Sequence, residues 1–171
     1  QQAIKAGAVH DGEVYKGEPV TEGFKTVRQA GESVSVMLVL EDGQVAYGDC
    51  AAVQYSGTGG RDPLFLSEVY MNVIHDLVEP ILLNRSLKSF RELAEEIDAF
   101  INPETGKPLH TALRYGLTQA ILDAVAKSKG KMMVDVIKEE YELNSDMRTI
   151  PIFMQSGDNR YNNVDKMIIK K

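Results

Sequence analysis

The strongest constraint on this chain is a pair of β-branched, apolar runs joined by a tight-turn signal. Ser33 to Leu40 (SVSVMLVL) leads through EDGQ into a second run from Gln44 to about Val53. An Asp-Gly pair, here Asp42-Gly43, between two such runs marks a β-hairpin. The first arm carries apolar residues on both faces, so a well-buried strand is expected there. Two strands alone make a marginal sheet, and a third is expected to complete it. Residues 1 to 32 are Gly-rich and polar without a clear period, and read as irregular chain leading into the sheet.

Helical periodicity follows. After GTGGRDP, Asp62 is placed to N-cap a helix with Pro63 at its first position, its body running through Leu64, Val69, Met71, Val73 and Leu77 to a stop near Pro80. A second helix starts at Ser89, where Ser89 and Glu92 have capping-box spacing and Phe90, Leu93, Ala94, Ile97 and Ile101 form an apolar stripe. The third, about Leu109 to Lys129, buries Leu113, Leu117, Ala120, Ile121, Ala124 and Val125, with Gly130 able to close it. A shorter helix covers Met132 to about Tyr141, and Thr149 to Met154 (TIPIFM) reads as a strand. Strands first, helices next and a separate strand last argue for an α+β domain over residues 1–147 and the start of a second domain over 148–171.

Composition narrows the function classes. A net charge of −6 without a basic stripe argues against a nucleic-acid partner. Lys127, Lys129, Lys131 and Lys138 read as a solvated helix end and its surroundings. One cysteine, Cys50, allows no intrachain disulfide and suits a reducing, cytoplasmic compartment. No apolar run is long enough to span a bilayer. The chain opens at Gln1 without a methionine and stops just after Met167, Ile168 and Ile169, so a piece of a longer protein is expected, a docked C-terminal strand being the alternative.

Few residues carry an obvious chemistry. Gly57-Thr58-Gly59-Gly60 lacks the Lys-Ser/Thr of a phosphate-binding loop, and Asp62 stands where a dinucleotide fingerprint needs glycine. It reads as a connection into a helix, the alternative being a hinged loop that brings Gln54, Tyr55 and Ser56 over a ligand. His10, His75 and His110 have no paired-ligand spacing, and His75 reads as a packed or surface residue. The pairs Glu95-Glu96 and Glu139-Glu140 are expected to face solvent, and Cys50 to be a small buried hydrophobe. In IPIFMQSGDNRY an apolar strand ends in Gln155, whose amide can orient a carboxylate or another amide; a plain turn at Gly157 and Asp158 is the other reading.

The segments AAVQYSGTGGRDPLF, LHTALRYGLTQAILDAVAK, PIFMQSGDNRY and NVDKMIIK, with His10-Asp11-Gly12 and Val20 to Phe24, resemble the methylaspartate ammonia-lyase family of the enolase superfamily. The resemblance runs over nearly the whole chain. It implies an α+β capping domain, an antiparallel meander sheet followed by a helical bundle, and then the first strand of a truncated TIM-type barrel. It implies reversible elimination of ammonia from 3-methylaspartate to give mesaconate, with a lysine base and Mg²⁺ (and a monovalent cation such as K⁺) in the full-length enzyme. Gln155 falls on a family position that contacts a substrate carboxylate, and Gln54 on one lining the pocket near the substrate amine. The family's base and metal carboxylates belong to later barrel strands, so neither Asp158 nor Lys166, Lys170 and Lys171 are taken as substitutes. The resemblance also implies that the family's first strand would precede Gln1, leaving the capping sheet short of an edge. The resemblance further implies a cytoplasmic homodimer in amino-acid degradation, acting on a small amino-acid substrate. The chain alone is expected to be inactive; a self-contained ligand-binding or interaction module is the alternative.

Overall fold

The computed structural model describes the backbone of residues 9–11 and 14–16, together with residues 18–52, 55–56, 60–144, 149, 151, 164–165 and 168. Strands β1 (Val9–Asp11) and β2 (Val14–Lys16) pair antiparallel, as do β3 (Ser33–Val39) and β4 (Val45–Ala51). The helices follow, so the architecture is α+β, with antiparallel sheets and, among the described residues, no closed barrel. The β3–β4 turn forms as its sequence requires. Gly43 takes a φ of 83°, and the Leu40 N–H donates to the Gln44 carbonyl at 2.8 Å. The Asp42 carboxylate accepts the Gln44 N–H at 3.0 Å, fixing the turn from within. The short β1–β2 pair was not legible in the Gly-rich opening. A third strand on the β3–β4 sheet is not found among the described residues.

One expectation about β3 is overturned. Val34, Val36 and Leu38 turn inward, whereas Met37 is 64% and Val39 74% exposed. Side chains alternate along a strand, and only one face of this sheet is covered. The apolar residues on the other face, joined by a half-exposed Tyr47, made the run look buried on both sides.

Covering the inner face is the long helix Thr111–Ser128, the third of the periodic segments and the centre of the core. Leu113, Leu117, Ala120, Ile121, Ala124 and Val125 are all buried there, each at a position the periodicity selects. Each fully buried Leu or Ile contributes about 2–3 kcal/mol against leaving it in water. The helix closes at Gly130, whose φ is +62°.

This helix approaches β4 so closely that main chain meets main chain. A Cβ at Gly48 would fall on the Gly116 carbonyl oxygen, and one at Gly116 would fall on the Cys50 sulfur and backbone nitrogen. The helix also covers the outer edge of β4. The Asp49 N–H donates to Gln119 Oε1 at 3.1 Å, the Tyr47 N–H to Asp123 Oδ2 at 3.0 Å, and Lys127 Nζ to the Val45 carbonyl at 2.7 Å. Four helical residues advance about 6 Å and two strand residues about 6.8 Å, so an i, i+4, i+8 row matches alternate strand residues running the other way. Backbone groups that would sit open on an edge strand are thereby satisfied.

The remaining helices depart from expectation in instructive ways. The first, α1 (Ser67–Val73), begins later than predicted, and its N-cap Leu66 has no side-chain cap. Glu32 serves instead, accepting the Ser67 N–H at 2.6 Å and hydroxyl at 2.7 Å. A π-helical turn (Ile74–Val78) follows, then α2 (Glu79–Leu82), so the helical run ends close to the stop expected near Pro80. Pro80 itself opens a new α-helical turn, where a missing N–H costs nothing. Helix α3 (Phe90–Ala99) starts on Ser89, whose hydroxyl accepts the Glu92 N–H at 3.2 Å. Phe90, Leu93, Ala94 and Ile97 are buried as expected; Ile101 lies beyond the helix, 51% exposed, in a hairpin of β5 (Ile101–Asn102) and β6 (Lys107–Pro108). The long helix is thus α4, and α5 (Met133–Glu140) packs Val136 into the core.

Glu140 also corrects an expectation. Its side chain is only 12% exposed, accepting the Phe90 N–H at 3.0 Å, the Arg91 N–H at 2.7 Å and the Ser89 hydroxyl at 3.1 Å. Glu95, Glu96 and Glu139 do face solvent and pair with Arg91, Arg85 and Lys131. The strand expected at Thr149 to Met154 and the boundary at residues 147/148 lie, but for 149 and 151, outside the described residues.

Candidate functional site

The two residues singled out for substrate, Gln54 and Gln155, lie outside the described residues, as do Gly57 to Gly59, Asp158, Lys166, Lys170 and Lys171. The structure does define the frame around Gln54. On its N-terminal side β4 runs to Ala51, held against α4 through Gly48 and Cys50. On its C-terminal side Tyr55 bridges antiparallel to Arg28, and the Arg28 guanidinium carbon lies 5.2 Å from the Tyr55 ring centroid. Ser56 is fully buried; its N–H donates to the Val27 carbonyl at 2.8 Å, and its carbonyl accepts the Val20 N–H at 3.2 Å.

Residues 18–32, read as irregular chain, are thus tied to Tyr55 and Ser56 through Val20, Val27 and Arg28. Phe24 and Val27 are buried, and the Glu22 carbonyl accepts the Leu64 N–H at 2.9 Å. Gly23, at φ +83°, provides the bend. No periodicity marks such a segment, because its order comes from partners distant in sequence. The buried Phe24 and Val27, three residues apart in a polar stretch, were the available signal.

After the glycines the chain is tied down again at Asp62, although not as a cap of the helix that follows. The Asp62 carboxylate accepts the Thr111 N–H at 2.7 Å, so it serves the N-terminus of α4. Burial disfavours its charge, but the hydrogen bonds from Thr111, with help from His110 and Arg114, outweigh that and lower its pKa. His110 is the N-cap residue of α4; its Nδ1 accepts the Ala112 N–H at 3.0 Å and its Nε2 donates to the Pro63 carbonyl at 3.1 Å. These two bonds together assign the Nε2–H tautomer. The ring also stands edge-on to Phe65 and Tyr70, themselves stacked with centroids 4.5 Å apart. Replacing Asp62 with Ala is expected to cost about 1 kcal/mol, the usual worth of a helix cap, seen as a lowered urea midpoint at unchanged slope.

His75 is exposed and hydrogen-bonds Asp76 at 2.7 Å, a contact that raises its pKa, and Cys50 is buried with its thiol pushed up to about 11. Burial is the main cause of the thiol's shift, assisted by the Asp49 charge. Neither is an activated group. Among the described residues no group of three or more His, Cys, Asp or Glu side chains could hold a metal ion, so these residues do not fit a Mg²⁺ site. No described helix is long and apolar enough to cross a membrane.

The profile of the "Methylaspartate ammonia-lyase N-terminus" family matches residues 1–142. The chain belongs to the methylaspartate ammonia-lyase family. The α+β fold described above is accordingly the family's N-terminal capping domain. The methylaspartate ammonia-lyase of Clostridium tetanomorphum is 58% identical over all 171 residues, and that of Haloarcula marismortui 45% identical over 172 aligned residues. Among solved structures, the beta-methylaspartase of Clostridium tetanomorphum in a Mg complex superposes with a TM-score of 0.79 at 59% identity, over 98% of this chain and 40% of that one. The Citrobacter amalonaticus methylaspartate ammonia lyase containing (2S,3S)-3-methylaspartic acid gives 0.79 at 54% identity, over 99% of this chain and 41% of that one. This chain thus spans about 41% of the length of the curated relatives it matches.

Proposed function

We propose that this chain is the capping-domain portion, residues 1–147, and the start of the barrel, residues 148–171, of a methylaspartate ammonia-lyase. The observation that carries this reading is the identity of more than half, over the full chain, to enzymes of that name. The reaction removes the proton on C3, α to a carboxylate, breaks the C2–N bond and forms the C2=C3 bond of mesaconate, releasing ammonia. Within that reaction we assign this chain to recognition. Gln155 orients a substrate carboxylate, its amide N–H₂ donating without adding charge, and Gln54 lines the pocket near the amine. The catalytic base, Mg²⁺ and a monovalent cation such as K⁺ are assigned to the remainder of the enzyme, which acts as a cytoplasmic homodimer in amino-acid degradation.

Adding 3-methylaspartate, Mg²⁺ and K⁺ to the chain alone should give no mesaconate by ultraviolet absorbance, while the full-length enzyme should turn over. Turnover by the chain alone would refute the division of roles. In the full-length enzyme Gln155→Ala should lower kcat/KM by an amount worth about 1–3 kcal/mol, roughly 5- to 150-fold, as an oriented hydrogen bond to a charged group is lost. Unchanged kinetics would leave the amide as a turn residue only.

A further inference from the structure

At the head of α4 one imidazole nitrogen stands between two partners. The His110 side chain is only 6% exposed, and each ring nitrogen has a set task. Nε2 donates to the Pro63 carbonyl at 3.1 Å, and Nδ1 accepts the Ala112 N–H at 3.0 Å. The same Nδ1 lies 4.0 Å from Asp62 Oδ2, the oxygen that accepts the Thr111 N–H. Only a neutral ring can hold this arrangement, because a nitrogen that gains a proton becomes a donor and gives up its lone pair. Once protonated, Nδ1 would meet the Ala112 N–H with a hydrogen of its own, while a carboxylate stands beside it. Nε2 donates in either state, so the ring can pivot without releasing Pro63.

The other charged and titratable groups around the ring come from its neighbouring elements. Arg114, one turn along α4, is held by the Leu109 carbonyl and the Thr111 hydroxyl, and pairs with Asp98 of α3 at 3.5 Å. Tyr70 of α1 stands edge-on to the imidazole with centroids 4.9 Å apart, and Glu22 acts together with Asp62 on its phenol. Asp62 is the acceptor that the structure places beside Nδ1.

We propose that His110 is a proton-operated latch. With Nδ1 bare it caps α4; with Nδ1 protonated it releases Ala112 and closes on Asp62, so that Asp62 and Pro63 are both tied to one ring. Acid thus trades a cap of the long helix for a second tie on the segment that leads into α1. The latch involves neither Gln54 nor Gln155 and stands apart from the roles proposed for them.

The test is a pH titration of the full-length enzyme with ¹⁵N-labelled histidine, the His110 ring assigned by its absence from His110→Asn. In the same samples the hydrogen exchange of the Ala112 amide is measured relative to an unstructured amide at each pH. The first N–H groups of a helix have no intrahelical partner, so protection at Ala112 reports the cap directly. The neutral ring should carry its proton on Nε2. As the ring takes its second proton, Ala112 protection should fall about five- to tenfold, in step with the ring signal, as expected for a lost cap. His110→Asn, which keeps an acceptor at the cap but does not titrate, should hold Ala112 protection constant over the same range. Asp62→Asn, which keeps an oxygen for Thr111 but removes the charge, should shift ring protonation to lower pH. A doubly protonated ring with Ala112 still protected would overturn the latch, as would a ring that stays neutral until the enzyme unfolds. An Asp62→Asn titration identical to the parent's would overturn the closure on Asp62. Should His110→Asn fail to fold, the histidine-labelled parent and Asp62→Asn carry the comparison, the ring then being assigned by the signal that Asp62→Asn displaces or, if none moves, the closure on Asp62 being refuted.

Discussion

Gly116→Ala is expected to be strongly damaging, although it adds only one methyl group. The new Cβ would meet the Cys50 sulfur, the Cys50 nitrogen and the Asp49 carbonyl carbon, two of them main-chain atoms of β4 that cannot rotate away. Relief requires α4 to lift from the sheet. That motion would loosen the contacts of Leu113, Leu117 and Ala120 and the row of bonds from Gln119, Asp123 and Lys127 to the strand edge. Alanine raises intrinsic helix stability by about 1 kcal/mol over glycine, so the packing cost must exceed that gain for the prediction to hold. Overpacking costs about 1–3 kcal/mol and sometimes more; with main-chain atoms in the way the upper end is expected, and the net loss should be about 2 kcal/mol, a fall of roughly 4–8 °C in melting temperature. Gly48→Ala should behave alike, because its Cβ would fall on the Gly116 carbonyl oxygen and near the Ala120 nitrogen. Gly106 is the control: it has open space around it and a φ of +65°, so alanine there should cost only about 1–2 kcal/mol of backbone strain. A Gly116→Ala protein at least as stable as the parent would show that the helix and strand do not meet as closely as described.

The second large effect concerns Glu140. This carboxylate, at the end of α5, closes the start of α3 from outside by accepting two of its unpaired N–H groups and the Ser89 hydroxyl, and it also receives Lys129 Nζ at 3.0 Å. Burial by itself would raise the Glu140 pKa, but the Arg91 and Phe90 N–H groups, followed by Lys129 and Ser89, hold it down at about 2. A positive helix N-terminus and an ammonium both favour the charged form. The pKa is depressed relative to the unfolded chain, so the stabilisation is fully present above the unfolded glutamate value of about 4.3. It is lost as pH falls from there toward about 2. Its worth at neutral pH is on the order of 2–3 kcal/mol. Glu140→Ala should therefore lower the urea midpoint by a constant amount between pH 7 and about pH 5, with the gap to the parent closing on further acidification. A gap that stays constant down to pH 2 would remove the charge from the explanation.

These two sites show why some of the fold was legible and some was not. The β3–β4 hairpin could be read because Asp42-Gly43 specifies a turn locally, and α4 because one apolar face recurs every three to four residues. Ser89 was readable as a cap for the same reason, its partner Glu92 being three residues away. Asp62 has the right residue type for a cap, yet it caps α4, 49 residues on, instead of the adjacent helix. Glu140 beside Glu139 looked like a solvated pair; only the approach of α5 to the start of α3 gives one of them a buried task. Met37 and Val39 show the reverse error, apolar residues taken as buried because the pattern records hydrophobicity and not whether a second layer covers that face.

The candidate site divides in the same way. Gln54 and Gln155 were reached through the motifs around them, and their assignment rests on family membership. The sequence by itself determined the β3–β4 hairpin, the helices α3 to α5 and the family to which the chain belongs, because those follow from local periodicity, turn chemistry and motif identity. What only the tertiary structure decided was the company each residue keeps: Gly48 against Gly116, Arg28 over Tyr55, and Asp62 and His110 at the head of α4. Such partners lie far apart along the chain, and no local pattern can encode a contact that exists only once the sheet and helices have closed on one another.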